Sequence, residues 1–176
     1  VEVTIQNTFD TTAQIIRTTI TGAKYVTVLA DYDGTVNGTA KGTAGGLLVA
    51  GTAQSLSMTE NITTKAEVTN NSNITASEIV SVLAQDEHQV GGKATGYSFS
   101  GVAAGGKTNI TTTITNNTTA KVDNSAITAK HILVKSFTKI AKDTTATASS
   151  GALGVSSNNV TDTTTVTNNT LTVIGS

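Results

Sequence analysis

The stretch Ile74-Thr75-Ala76-Ser77-Glu78-Ile79-Val80-Ser81-Val82-Leu83-Ala84 has a copy on either side of it. Upstream stands Ile20-Thr21-Gly22-Ala23-Lys24-Tyr25-Val26-Thr27-Val28-Leu29-Ala30, and downstream Ile127-Thr128-Ala129-Lys130-His131-Ile132-Leu133-Val134-Lys135-Ser136-Phe137. Each copy opens on Ile-Thr and a small residue, crosses two variable positions and enters an apolar, strand-like run. Self-similarity at a fixed period is the mark of an array whose units bury their faces on one another. Other features keep the same spacing. Gly105 follows Gly51 at the interval that separates Ala120-Lys121-Val122 from Ala66-Glu67-Val68. The Thr/Asn-rich segment from Asn109 to Thr118 returns one period on as Asp162 to Thr170, and Glu60-Asn61-Ile62-Thr63-Thr64 is a weaker version of it. The period is therefore about 53 residues, with single-residue slips. Repeat boundaries fall near 1-30, 31-84, 85-137 and 138-176, within a single domain spanning 1-176.

Composition narrows the fold class. Of 176 residues about a fifth are Thr, there are three Phe, three Tyr and no Trp, and charged residues make up 13%. β-Branched side chains suit a pleated sheet, and Thr, Val, Ile, Asn and Gly are poor helix formers. Proline is absent, so no position is barred from donating to a ladder. The fold class is all-β. The net charge is -1, with one arginine, Arg17; no basic stripe exists to neutralise phosphates, which argues against a nucleic-acid partner. The longest apolar run, Leu47-Leu48-Val49-Ala50, is far too short to span a membrane. Cysteine is absent, so stability rests on packing and hydrogen bonds. The chain starts at Val1, and we read it as a mature protein or an excised piece.

Along the chain, Val1-Glu2-Val3-Thr4-Ile5 alternates as a half-buried strand does, with Gln6-Asn7-Thr8 read as a turn. Asp33-Gly34 and Asn37-Gly38 are strong turn dipeptides. Such punctuation predicts several short strands per repeat, hence two to three coils of a β-solenoid for each repeat unit. A propeller blade fits less well, since its aromatic anchors are missing. In a solenoid each coil pairs with the next at about 4.8 Å, like side chains stack in columns, and Asn can occupy the corners. Neither end shows a polar cap: Thr170-Leu171-Thr172-Val173-Ile174 still alternates like an interior strand. The exposed edges at Val1, Val3, Ile5 and at Leu171, Val173, Ile174 are the candidate assembly surfaces.

Ala/Gly-rich runs such as Gly42-Thr43-Ala44-Gly45-Gly46-Leu47-Leu48-Val49-Ala50-Gly51 alternate with Thr64-Lys65-Ala66-Glu67-Val68, Thr119-Ala120-Lys121-Val122 and the strand Ile79-Val80-Ser81-Val82-Leu83-Ala84. This pattern resembles the repeat region of leukotoxin-type filamentous adhesins, a class related to filamentous-haemagglutinin-like exoproteins. The resemblance covers nearly the whole chain and is compositional and periodic. It implies a right-handed parallel β-helix in a long, secreted fibre at the cell surface.

No catalytic constellation emerges. Asp86-Glu87-His88 could share a metal ion, but we read it as a solvated turn between Ala84 and Gly91-Gly92. His131, taken as the counterpart of Glu78, is read as exposed. Asp31-Tyr32-Asp33-Gly34 opens like a calcium loop and then lacks the later acidic positions. No serine sits in a nucleophile elbow. The expectation is a non-enzymatic structural or adhesive segment without cofactors, whose partners are itself, the rest of a longer chain, or host-cell and cell-surface ligands. A filament subunit polymerising through its strand edges is the alternative. An ice- or polysaccharide-binding solenoid ranks below both. Sugar binding calls for exposed aromatics, for which only Tyr32, Tyr97 and Phe99 are candidates. Ice binding calls for Thr ranks in every coil, and the Thr clusters recur only once per repeat.

Overall fold

In a computed structural model that describes residues 1–175, the chain forms β1 (Glu2–Ile16), β2 (Thr19–Gly46), β3 (Val49–Thr69), β4 (Asn73–Ser100), β5 (Ala103–Val122), β6 (Ala126–Thr128), β7 (His131–Gly151) and β8 (Val155–Ile174). The strands sort into two sheets. One has the order β1-β3-β5-β8, and the other places β2 beside β4, with β6 and then β7 on the far side of β4. Every pairing is parallel. The chain thus alternates between two sheets and returns to each after a nearly fixed interval. Glu2 pairs with Ser55, Val49 with Ala103 and Ala103 with Val155 in the first sheet; Thr19 pairs with Asn73 and Ile79 with His131 in the second.

This pairing explains the sequence period and corrects its subdivision. Each repeat unit is one circuit of two long strands, not two to three coils of short ones. Gln6-Asn7-Thr8 lies within β1, and both Asp33-Gly34 and Asn37-Gly38 lie within β2. Their glycines face inward and make room. A Cβ on Gly38 would come within 2.8 Å of Leu56 Cδ1 and 2.9 Å of Ile5 Cδ1, and one on Gly34 would collide with the Tyr32 hydroxyl. The repeat copies are largely in register, since Ala30 pairs with Ala84 and Ala84 with Ser136. A slip near the third copy places His131 beside Ile79, and Glu78 instead receives Lys130, at 2.8 Å.

The reversals occur elsewhere. At one end of the strands Arg17, Asn70, Asn71 and Asn124 take positive φ, and the Asn71 amide donates to the Asn124 carbonyl of the next circuit. Asn tolerates this conformation; Arg17 does not. Arg17→Gly is therefore expected to raise stability by up to about 1 kcal/mol, read as a higher midpoint in thermal denaturation. At the other end the reversals are apolar and exposed, at Leu47-Leu48, Val102 and Leu153.

Apart from an irregularity between Ile20 and Tyr25 in β2, alternation divides the long strands into an inner and an outer row. The inner rows form two apolar clusters. In one, Val28, Val80, Val82 and Ala84 of the even strands meet Ala66, Val68, Ala120 and Val122. In the other, Ala40, Val90 and Ala94 meet Leu56, Met58, Ile110 and Ile114. In this second cluster small residues on the even strands oppose large ones on the odd strands.

Candidate functional site

Between the two apolar clusters the inner rows turn polar. Counting by twos along β4 from Val82 and Ala84 leads to Asp86 and His88, so both point inward, and Glu87 points out. Asp86 and His88 are buried. His88 Nδ1–H donates to Asp86 Oδ1 at 2.9 Å, and the other carboxylate oxygen accepts from Asn116 Nδ2 of β5. Thr118 Oγ1 donates to Asn116 Oδ1 at 3.1 Å and lies 2.8 Å from Thr138 Oγ1 of β7. Tyr32 of β2 closes the group, its ring 6.3 Å from that of His88 and 5.1 Å from Phe9. The reading of Asp86-Glu87-His88 as a solvated turn is therefore wrong: the triplet is mid-strand, and two of its three side chains are interior.

Glu60 of β3, also buried, escapes the sequence reading although the same count by twos through Met58 and Ile62 places it inward. Neither of its carboxylate oxygens has a protein partner, nor does Nε2 of His88. Burial pushes the Glu60 carboxyl above the ordinary range, Asp86 adds to that rise, and His88 opposes it. Burial likewise raises the Tyr32 phenol, with Glu60, Asp86 and Asp33 reinforcing it. An acid whose pKa is raised by folding stabilises the fold below its unfolded pKa and loses that contribution as pH rises through the folded value. Glu60→Gln is therefore expected to stabilise the protein by about 1–3 kcal/mol at neutral pH. The gain should shrink toward zero below about pH 4, as measured by denaturant unfolding across pH.

The sequence-selected acids do not converge on a metal. Asp31, Asp33 and Glu87 are on the outer face of the sheet that holds β2 and β4, with Asp33 beside Glu87 in register and Glu87 3.2 Å from Lys139. Asp86 and His88 are on the inner face. Among the described residues no group of three or more His, Cys, Asp or Glu is arranged to hold a metal ion. Tyr97 and Phe99 are exposed on β4, whereas Tyr32 packs inward. His131 is exposed.

The candidate assembly residues also separate. Val3 and Ile5 face inward on β1, and Ile174 is on the inner side of β8 by its pairing with Val122 although it is exposed there; Leu171 and Val173 pair with the outward Thr119 and Lys121 and so are on the outer side. The tail's alternation is thus inverted relative to an apolar interior strand. Its inward residues include Thr170 and Thr172, bonded to Thr138 and Ser136. Asp162 receives bonds from Lys142 at 2.8 Å and Thr144 at 2.6 Å. Partial burial of Asp162 pushes its carboxyl up, but those bonds outweigh it and hold the group below the usual range. The β7/β8 end is polar within, in place of the uncapped apolar end expected. At the opposite end Val3, Ile5, Phe9, Val26 and Val36 are half-buried and apolar.

No family model, curated protein or solved structure matches this chain. Function is therefore read from surfaces, and the two outer faces differ. The outer face of the sheet built from β2, β4, β6 and β7 carries Asp31, Asp33, Glu87, Lys135 and Lys139 among Leu133 and Phe137. The outer face of the β1-β3-β5-β8 sheet is hydroxyl-rich and, over its middle, uncharged. There Thr4, Ser57, Thr111 and Thr163 form one cross-strand row. Two positions further along, Thr59, Thr113 and Thr165 form the next row with Gln6, and after that Thr8, Thr115 and Thr167 form a third with Asn61. Asn169 donates to Asn117 at 2.9 Å just beyond.

Proposed function

We propose that this chain is a rigid, non-enzymatic segment of an extracellular adhesive fibre, its two sheets wound as a right-handed parallel β-solenoid with one circuit per repeat. The observation that carries this reading is the near-constant parallel register. Each circuit lies on the last with little slippage, from Glu2 opposite Ser55 to Val122 opposite Ile174. A structure of this kind grows by about 4.8 Å for each circuit, so a longer array of such repeats makes a stiff fibre with broad faces for contact with cell-surface ligands.

The alternative is a subunit that polymerises end to end. β1 and β8 each pair on one edge only, which leaves backbone groups free to recruit a neighbour. The inner rows favour the fibre segment. If a second copy continued the register, Asp162 would meet Val3 and Lys142 would meet Val36. The Lys142–Asp162 pair would lose its remaining water against apolar neighbours, and desolvation opposes that. Electron microscopy of the purified chain across a concentration series tests the reading. Particles of one size at every concentration are expected. Filaments that lengthen with concentration would make self-assembly the function.

A further inference from the structure

We propose that the outer face of the β1-β3-β5-β8 sheet binds ice, holding an ordered layer of water on its rows of Thr hydroxyls and methyls. From sequence, the objection is that Thr clusters recur only once per repeat. Because one repeat makes one circuit, that spacing places a cluster on every strand of the sheet. The result is a two-dimensional array, three rows deep across the sheet, in which every position but Gln6 and Asn61 carries a hydroxyl.

The dimensions follow from the sheet. Rows repeat at about 4.8 Å across strands and about 6.6 Å along them, intervals close to the oxygen spacings on the surface of hexagonal ice. Thr suits the task because its β-branched side chain is stiff at χ1, so hydroxyl and methyl stay fixed relative to the backbone. Water held on such a face loses little further freedom when it joins a crystal, the general benefit of preorganisation. The absence of charge from the three rows matters equally, since an ammonium or carboxylate would impose its own hydration shell. The other outer face fails on this criterion, with Asp33, Glu87 and Lys139 in a single row. A carbohydrate surface fits the hydroxyl face poorly, because its three rows hold no aromatic ring on which a sugar could stack.

The test is partition of the labelled, intact chain between a slowly grown ice front and the remaining liquid. Thr113→Lys sits at the centre of the array, half-exposed, and Thr27→Lys sits exposed on the other outer face. Far-UV circular dichroism checks that both retain the strand signal, and Thr113→Ser keeps the hydroxyl as a milder substitution if the lysine variant does not fold. The expected result is enrichment of the wild type and of Thr27→Lys in ice, loss of enrichment in Thr113→Lys, and an intermediate level in Thr113→Ser. Exclusion of the wild type from ice would overturn the proposal. So would equal loss in Thr27→Lys, retention by chitin or cellulose in place of ice, or a Thr113-dependent dimer in sedimentation without ice uptake. None of these outcomes bears on the fibre reading, which the concentration series decides separately.

Discussion

Asp86→Ala is expected to cost about 3–5 kcal/mol, among the largest effects of any single substitution in this chain. The reason lies in what the carboxylate leaves behind. His88 Nδ1–H and Asn116 Nδ2 both donate to it, and all three residues are buried. Removing the acceptor strands two donors where water cannot reach them, and each carries its own desolvation penalty. The loss is read as a lower urea midpoint at unchanged m-value. The counterpart variant is Asp86→Val with His88→Val and Asn116→Val. It replaces the whole group by side chains that the neighbouring inner rows already use, and it should recover most or all of the lost stability. If the single variant were as stable as the wild type, the cluster would have no part in holding the sheets together.

The polar cluster has a second consequence. A one-residue slip between stacked strands turns the core face outward and is strongly penalised. A two-residue slip keeps every inner side chain inside, and where the inner rows are small and alike, as at Ala66, Val68, Ala120 and Val122, it changes packing little. It does separate Asp86 from Asn116. We expect the apolar triple variant to match the wild type in stability while showing heterogeneous hydrogen exchange along β4 and β5, the signature of mixed registers. A single uniform exchange pattern in that variant would remove register control from the account.

The period is readable because parallel stacking puts like on like: Gly51 against Gly105 and Ala66-Glu67-Val68 against Ala120-Lys121-Val122 are true structural pairs. The number of strands per period is not readable, for a local reason. Asp33-Gly34 and Asn37-Gly38 carry the chemistry of turns, yet Gly34 and Gly38 are glycines because Tyr32, Leu56 and Ile5 occupy the space a Cβ would fill. For Gly38 that requirement arises from the opposite sheet, which is not local information; for Gly34 it arises from how the Tyr32 ring two residues away is turned, which the sequence does not fix. The actual reversals do carry turn residues, Gly45-Gly46 before Leu47-Leu48, Gly101 before Val102 and Asn70-Asn71-Ser72-Asn73 at the other end, but this signal is no stronger than that of the mid-strand dipeptides. For the interior polar group the signal is present and outweighed. Alternation through Val80, Val82 and Ala84 assigns Asp86 and His88 to the core, but three consecutive ionisable residues read more readily as exposed. Glu87 alone obeys that expectation. The Thr face shows the same dependence, because its residues can be identified from sequence while its density cannot be until the circuit length is known.

Leu56→Ala is expected to cost about 2–5 kcal/mol, and its coupling to glycine tests how the two sheets fit. Leu56 is fully buried. Its Cδ1 lies 2.8 Å from where a Cβ on Gly38 would stand, and its Cδ2 lies 3.1 Å from the same position on Gly92. The core here is an interlocking of large odd-strand residues with small even-strand ones, so the two sides should not be independent. Gly38→Ala alone crowds Leu56 and Ile5 and is expected to cost about 1–3 kcal/mol by overpacking. In the Leu56→Ala background the same methyl enters vacated space and Ile5 can move aside, so its cost should vanish or become a gain. A double-mutant cycle from thermal or denaturant unfolding measures the difference, expected to exceed about 0.5 kcal/mol. Additive behaviour would mean that the gap closes by movement of the sheets themselves. In that case the glycines of β2 and β4 would owe their place to something other than the side chains facing them.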